Sequence, residues 1–263
     1  MASEVLSSPL SLEQLKELLH VQPGVVLVGG QALAFWADYY EALGQGFESG
    51  LTTDLDFFGN REQARAHIAQ LKAAFPEHVR YEIATLDTPP PSAAVILIDN
   101  FSGQKEPMVI DYVTALAGYK WESEAKMLTR AVDVSVDGLA IKCMHPFDCL
   151  KSRIHNLALL PSKRSELGVE QCHTAIRVAR GMLIENCRGD WHQQRNIALP
   201  MAEGLIELAA HKHSLEARIH YGIDVLSAIA PENFCRSFQD FRWPQASKYV
   251  QRKYNRMISR LQR

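Results

Sequence analysis

The chain has 263 residues, of which 47% are hydrophobic, and a formal net charge of −2 at pH 7. This length and composition are enough for a buried core, and they favour two domains or one domain with a helical extension. The near-neutral charge does not indicate a nucleic-acid-binding protein, so such a role would need a local basic patch. The five cysteines form no C-x-x-C pair, which argues for free thiols and against a disulfide framework.

The sequence carries no signal for membrane insertion or secretion. It has no run of 18 apolar residues, which a membrane-spanning helix would need. Residues 1–5 lack the charged and apolar regions of a signal peptide. We therefore expect a cytoplasmic protein without a membrane partner.

The first part of the chain alternates between helix and strand periodicity. The predicted helices cover 11–20, 31–43 and 61–75, and the predicted strands cover 25–28, 55–58, 79–84, 94–98, 108–113, 132–136 and 139–143. Asp137-Gly138 predicts a tight hairpin between the last two strands. This pattern predicts an α/β (α+β) fold, in which a mixed sheet is flanked by helices.

From Pro146 onward the periodicity is helical, and a proline suits the first turn of a helix. The predicted helices cover 146–159, 166–186, 191–211, 214–229 and 246–261. We therefore place a domain boundary between residues 144 and 145. Residues 1–144 are expected to form the sheet-containing domain and residues 145–263 an all-helical domain.

A double glycine, Gly29-Gly30, lies between the predicted strand 25–28 and the helix that starts at Gln31. The backbone N–H groups of such a strand–glycine–helix junction can bind phosphate. The sequence lacks the third glycine of a dinucleotide-binding fingerprint and the Gly-Lys-Ser/Thr of a P-loop. The alternative interpretation is an ordinary tight turn.

Three aspartates lie in apolar, strand-like segments. Asp54 and Asp56 are alternate residues, so in a strand they would project from one face, about 6.5–7 Å apart. Asp111 lies inside the apolar run 108–113. Carboxylates in such surroundings are costly unless a cation lies between them. The alternatives are a solvated loop or helix cap at Asp54 and a water-facing edge strand at Asp111. Asp99 competes for the third position, but it falls where a turn residue is expected.

In this order, the motifs resemble the nucleotidyltransferase superfamily, which has a strand, two small residues, a helix, Asp-x-Asp on the next strand and a later Asp. The matching positions are Gly29, Gly30, Asp54, Asp56 and Asp111. Val-Gly-Gly-Gln-Ala-Leu and Thr-Thr-Asp-Leu-Asp-Phe-Phe are most similar to AbiEii-type nucleotidyltransferases, the toxins of abortive-infection systems. The resemblance covers residues 24–113, and its extension to residues 145–153 is open. The gap between the glycines and the Asp-x-Asp is longer than usual, and no serine follows the first glycine.

The resemblance implies a nucleotidyltransferase-like fold and a Mg²⁺-dependent transfer of a nucleoside monophosphate from an NTP to an acceptor. The implied catalytic and metal-binding residues, which would hold two Mg²⁺ ions, are Asp54, Asp56 and Asp111. The implied nucleotide-binding residues are Gly29, Gly30 and Gln31, of which Gln31 would contribute its backbone amide. Lys151 and Arg153 are added to this set from their position in the chain alone, and one of them would neutralise phosphate charge.

A basic stripe near the C-terminus bears on the acceptor. Its members repeat at intervals of four residues and are Lys248, Arg252, Arg256 and Arg260. One interpretation is a surface that follows the phosphates of RNA, and the other is a solvated helix face. The acceptor is therefore open between RNA, as in toxin-like relatives with an antitoxin partner, and a small molecule or protein. A non-catalytic nucleotide-binding or interaction module is the remaining alternative.

The histidines and cysteines do not predict a zinc site. Cys143, His145 and Cys149 lie close together but without a standard ligand spacing. His211 and His213 flank Lys212 near a predicted helix end, where cations suit the helix dipole. The sequence therefore favours surface positions for these two histidines.

Overall fold

The computed structural model describes residues 16, 18–40, 54–85, 87–88, 91–101, 105–136, 138–189, 192 and 194–262. The predicted helix 11–20 and residues 41–53 lie largely outside this part of the chain. The chain divides into two compact units. The first is Met1–Phe35 with Leu43–Cys149, and the second is Trp36–Ala42 with Leu150–Arg263. The predicted domain boundary between residues 144 and 145 concerns independent folding and stays a prediction.

A mixed sheet lies at the centre of the first unit. Its strands are β1 (Val26–Val28), β2 (Leu55–Phe58), β3 (Val79–Ile83), β4 (Ser92–Ile98), β5 (Met108–Val113), β6 (Val132–Val136) and β7 (Leu139–Cys143). Over the described residues their order is β3-β4-β5-β2-β1-β7-β6. The β2 strand runs parallel to β5 and antiparallel to β1, and β1 runs parallel to β7. The predicted mixed sheet is confirmed.

Four helices begin in the first unit as described: α1 (Gly29–Tyr39), α2 (Arg61–Ala74), α3 (Trp121–Arg130) and α4 (Pro146–Leu159). A capping box starts α2, where Asn60 accepts hydrogen bonds from the amides of Glu62 and Gln63 while the Gln63 side chain accepts one from the Asn60 amide. The sequence did not predict α3. That helix is only ten residues long and buries only Met127 among its described residues, so few apolar residues mark it in the sequence.

One face of the sheet carries the core of the first unit. Along β2 and β5 the residues alternate between buried and half-buried. The buried side chains include Leu55, Phe57, Ile110 and Tyr112. The α2 helix packs against this face, since the rings of Phe57 and His67 lie 5.8 Å apart. Burial of these apolar side chains stabilises the sheet, and the opposite face of β2 and β5 is less buried.

The second unit is helical in its described residues. Its helices beyond α4 are α5 (Glu166–Arg188), α6 (Leu199–Ala209), α7 (Lys212–Tyr221) and α8 (Trp243–Leu261). None of the described helices is long and apolar enough to cross a membrane.

Two predicted helices in this unit were too long. A π-helical turn, Gln194–Ala198, occupies the first part of the predicted helix 191–211. The predicted helix 214–229 ends at Tyr221, because Gly222 adopts the left-handed conformation, with φ of +70°, and caps α7. Glycine adopts this conformation without the steric cost that other residues pay. A short 3₁₀ turn, Val225–Ala228, follows.

Candidate active site

Two of the predicted metal ligands lie side by side on the less buried face of the sheet. The register of the parallel β2–β5 pair places Asp56 directly opposite Asp111. Residues opposite each other in a ladder project from the same face, and neighbouring strands are about 4.8 Å apart. Both aspartates are half-buried, whereas their neighbours Phe57 and Tyr112 point into the core. The sheet therefore brings together two acids that are distant in sequence.

The third predicted ligand, Asp54, lies at the bend immediately before β2 and is half-buried. It is two residues from Asp56, a separation of about 6.5–7 Å in extended chain. Chain connectivity therefore keeps Asp54 near the Asp56–Asp111 pair, but no ladder pairing fixes the direction of its side chain. We call Asp54, Asp56 and Asp111 the carboxylate cluster.

The double glycine meets this cluster at Gly29. The antiparallel β1–β2 pair places Val28 opposite Asp56, so the chain turns into α1 directly beside that aspartate. A Cβ atom added to Gly29 would lie 1.8 Å from Oδ2, 2.6 Å from Cγ and 2.7 Å from Cβ of Asp56. Gly29 also has a φ of +70°, a conformation that favours glycine. Its backbone conformation and the close approach of Asp56 both require glycine here.

The expected phosphate-binding residues form the start of a helix. The α1 helix begins at Gly29 and not at Gln31 as predicted, so Gly29, Gly30 and Gln31 are its first residues. The first four N–H groups of a helix have no intrahelical acceptor, and the helix dipole adds partial positive charge there. Gly29 is half-buried, whereas Gly30 is buried and Gln31 is only 2% exposed. The contribution of each amide to phosphate binding stays a prediction.

A buried hydrogen bond on the other side of the sheet supports Asp111. The hydroxyl of Tyr112, the next residue, lies 2.9 Å from Nδ1 of His67 on α2. Both side chains are fully buried, and burial lowers the pKa of His67 to about 4 while raising the pKa of Tyr112. Both groups are therefore neutral at pH 7, and their contact fixes β5 against α2. This contact restrains the backbone that carries Asp111.

The two predicted basic residues, Lys151 and Arg153, lie on α4 in the second unit. Arg153 is 8% exposed, and its Nη1 donates a 2.9 Å hydrogen bond to Oε1 of Gln171 on α5. Lys151 is half-buried. The guanidinium group of Arg153 therefore has a partner inside the helical unit, and the assignment of both residues to nucleotide binding stays a prediction.

Sequence reasoning missed a buried polar cluster in the first unit. Asp148 is fully buried and accepts two hydrogen bonds from Arg130, one from Nε at 2.8 Å and one from Nη2 at 2.7 Å. The Tyr119 hydroxyl donates to Asp148 at 3.2 Å. This arrangement joins the end of α3 to the start of α4. In the sequence, Asp148 is an acid in the first turn of a predicted helix, which is a common position for an acid. Nothing in the sequence therefore indicated its partners.

The basic stripe lies on the exposed side of α8. All four members, Lys248, Arg252, Arg256 and Arg260, are exposed. Within the described residues none of the four forms an ion pair with an acid. The opposite side of the helix buries Ala246 and Val250. The stripe is therefore a contiguous cationic surface of the second unit.

The carboxylate cluster fits the donor chemistry of Mg²⁺, which prefers carboxylate oxygens together with water and phosphate oxygens. Asp56 and Asp111 present such oxygens from adjacent strands, and the glycine at the start of α1 leaves space for the carboxylate of Asp56. Two half-buried carboxylates side by side also repel each other, which a bound cation would relieve.

No protein-family model matches the chain, and no curated protein matches it. Among solved structures, the chain is similar to an antigenic nucleotidyltransferase-like protein from Paracoccidioides brasiliensis. The two are 14% identical, with a TM-score of 0.40 over 88% of this chain and 93% of that chain. A similarity at this level assigns no function, so the functional argument rests on the geometry of the site.

Proposed function

We propose that the chain is a nucleotidyltransferase, which transfers a nucleoside monophosphate from an NTP to an acceptor and releases pyrophosphate. The observation that carries the proposal is the placement of Asp56 against two partners. Asp111 lies opposite it in the sheet, and Gly29 at the start of α1 lies under its carboxylate. Carboxylates for a metal ion and helix N–H groups for phosphate therefore meet at one point, as binding of a metal–triphosphate complex requires.

Asp54, Asp56 and Asp111 would hold the Mg²⁺ ions. When bound, a pair of Mg²⁺ ions neutralises phosphate charge and stabilises the attacking and leaving oxygens of the displacement. The fit rests on the oxygen donors of these three side chains, two of which are fixed by the β2–β5 register.

The remaining steps belong to the chain itself. The amides of Gly29, Gly30 and Gln31 would bind the β- and γ-phosphates and orient the triphosphate. The acceptor oxygen attacks the α-phosphorus, the bond between the α-phosphorus and the bridging oxygen to the β-phosphate breaks, and pyrophosphate leaves. Asp111 would take the proton of the acceptor hydroxyl, because it lies beside Asp56 and is partly open to solvent.

The favoured acceptor is RNA, as the AbiEii-type resemblance implies. The supporting observation is the exposed basic stripe on α8, whose four cations are spaced to follow a phosphate backbone. A toxin of this type would also have an antitoxin partner, which belongs to the same proposal. A small-molecule or protein acceptor would use the same carboxylate cluster, so the choice among acceptors is made by experiment.

The test is incubation with each α-labelled NTP, Mg²⁺ and either tRNA or total cell extract. We expect label to be transferred to RNA by the wild-type chain. Asp56→Asn and Asp111→Asn should each reduce transfer by at least about 100-fold, the order of loss when one charge-stabilising group is removed. Asp99→Asn is the matched control, since Asp99 forms an exposed ion pair with Arg80. Equal activity in all four proteins, or no transfer from any NTP, would contradict the proposed function.

A further inference from the structure

Three histidines from two helices form a cluster inside the second unit. His155 lies on α4 and is 4% exposed. His211 is the residue that precedes α7, and His213 is the second residue of that helix. Each histidine has one ring nitrogen that lies within 4.8 Å of a ring nitrogen of the other two. The sequence favoured surface positions for His211 and His213. His211 is exposed as predicted, His213 is half-buried, and both lie against His155.

The His213 ring meets the other two edge to face, and one of its nitrogens has no hydrogen-bond partner in the described part of the chain. The His213 ring stands nearly perpendicular to those of His155 and His211, at 90° and 82°. Nδ1 of His213 is buried and has no hydrogen-bond partner among the described residues. A buried polar atom without a partner costs free energy, and coordination of a metal ion would remove that cost. Aromatic packing alone does not account for this atom.

We propose that His155, His211 and His213 bind one divalent transition-metal ion of the class represented by Zn²⁺. Neutral imidazole nitrogens suit Zn²⁺, Cu²⁺ and Ni²⁺, whereas Mg²⁺ and Ca²⁺ prefer oxygen ligands. The surrounding charges favour the same class. Lys151 and Lys253 act electrostatically on His211 and Glu216 opposes them, so affinity must come from nitrogen coordination and not from a negative field.

Coordination requires a modest contraction of the cluster. With Zn–N bonds of about 2.0–2.1 Å in a tetrahedral site, ligand nitrogens are about 3.4 Å apart. The rings must therefore close from a separation of up to 4.8 Å. The contact that restrains His211, in which the His213 amide donates to Nδ1, is long at 3.4 Å. A hydrogen bond of this length restrains the ring weakly, so small side-chain rotations can close the site.

A set of three histidines leaves the fourth coordination position for water or another ligand. A cavity of about 450 Å³ adjoins the cluster and is lined by His213, Lys212, Glu216 and Arg164 among others. This cavity would give water or another small ligand access to that position. The bound ion would also join α4 to the start of α7, so metal binding should stabilise the second unit.

The test uses untagged, chelator-treated full-length protein, titrated with Zn²⁺ by calorimetry and with Co²⁺ by visible absorption. With excess Mg²⁺ present to fill the proposed carboxylate site, we expect one saturable site per chain, a d–d absorption band with Co²⁺ and a higher unfolding temperature with Zn²⁺. His211→Ala and His213→Ala should each weaken Zn²⁺ binding by at least about 100-fold, because loss of an outer partner alone costs 10- to 100-fold. His211 is exposed, so that variant should fold even if the other does not.

His173→Ala is the matched control, because His173 lies on α5 in the same unit and outside the cluster, and its loss should leave Zn²⁺ binding unchanged. Asp56→Asn should also leave it unchanged, since this site is independent of the proposed nucleotidyl transfer. Excess Mg²⁺ should not displace Zn²⁺. The proposal is overturned if folded wild-type protein shows no saturable Zn²⁺ binding, or if binding persists in both His211→Ala and His213→Ala.

Discussion

Replacing Gly29 with alanine tests the contact that joins the helix start to the carboxylate cluster. The new Cβ would meet Oδ2 of Asp56 at 1.8 Å and its Cβ at 2.7 Å. The carboxylate can rotate away, but the Cβ of Asp56 is fixed by β2 and cannot. Alanine at φ of +70° costs about 1 kcal/mol in strain, and overpacking adds about 2 kcal/mol more. We therefore expect Gly29→Ala to lower the free energy of unfolding by about 3 kcal/mol.

Gly222→Ala separates backbone strain from steric overlap. Gly222 has the same φ of +70°, but a Cβ added there would meet nothing within 4 Å. The free energy of unfolding of this variant should fall only by the cost of backbone strain, about 1 kcal/mol. Gly138→Ala supplies a control within the first unit, since it also has positive φ, at +87°, and open space around it.

Two substitutions of Asp56, each combined with Gly29→Ala, identify which atoms of Asp56 the new Cβ would contact. Asp56→Ala removes Oδ2 and Cγ, the atoms that would lie at 1.8 Å and 2.6 Å, whereas Asp56→Asn keeps the shape of the side chain. In a double-mutant cycle, Gly29→Ala should cost about 1–2 kcal/mol less in the Asp56→Ala background and the same in the Asp56→Asn background. Urea unfolding followed by circular dichroism measures each value. A Gly29→Ala cost equal to that of Gly222→Ala would refute the predicted contact.

Three further predictions concern a buried histidine, a buried ion pair and the basic stripe. Burial lowers the folded pKa of His67 from 6.5 to about 4, so only the unfolded state gains this proton as pH falls below 6.5. His67 alone should lower stability by up to about 3 kcal/mol between pH 6.5 and 4, in addition to any loss from His145, whose pKa burial also lowers to about 4. His67→Gln should therefore reduce the slope of stability against pH without abolishing it, as measured by urea titrations at several pH values. An unchanged slope would assign the whole pH dependence to other groups. Arg130→Met should cost about 3 kcal/mol, and more than Asp148→Asn, because it leaves a fully buried carboxylate without its cation; equal costs in thermal unfolding would contradict this. Replacing Lys248 and Arg252 with Gln should weaken the salt dependence of tRNA binding by about one to two units in the slope of log affinity against log salt concentration. Titrations at several ionic strengths measure this slope. RNA binding that does not depend on salt would exclude the stripe as the RNA-binding surface.

The strands of the sheet were predictable because their signal is local. Residues 55–58 and 108–113 form short apolar runs, and each proved to be a strand with alternating burial. The acids in them were conspicuous because a half-buried carboxylate needs a partner or a cation. Sequence therefore indicated which residues belong to a candidate site, since both the strand and the anomaly within it can be recognised from a few neighbouring residues.

The pairing of those residues was not predictable from the same signals. The register that sets Asp56 opposite Asp111 depends on strand order, which brings a distant strand next to β2. The Arg130–Asp148 ion pair and the histidine cluster have the same character, because each joins elements that are far apart in sequence. The predicted ends of two helices were wrong for a related reason. The turn at Gly222 and the π-helical turn before α6 interrupt periodic apolar patterns that continue across them.

The register of β1 against β2 links the two halves of the candidate site. Val28 pairs with Asp56, and Gly29 follows Val28 directly with a positive φ. The start of α1 therefore lies beside the carboxylate of Asp56. A slip of one residue between β1 and β2 would move Gly29 away from the carboxylate of Asp56. Asp56 would stay opposite Asp111, because the β2–β5 register holds it there. The proposed phosphate-binding residues would then be separated from the proposed metal ligands, so the meeting of the two groups depends on the β1–β2 register.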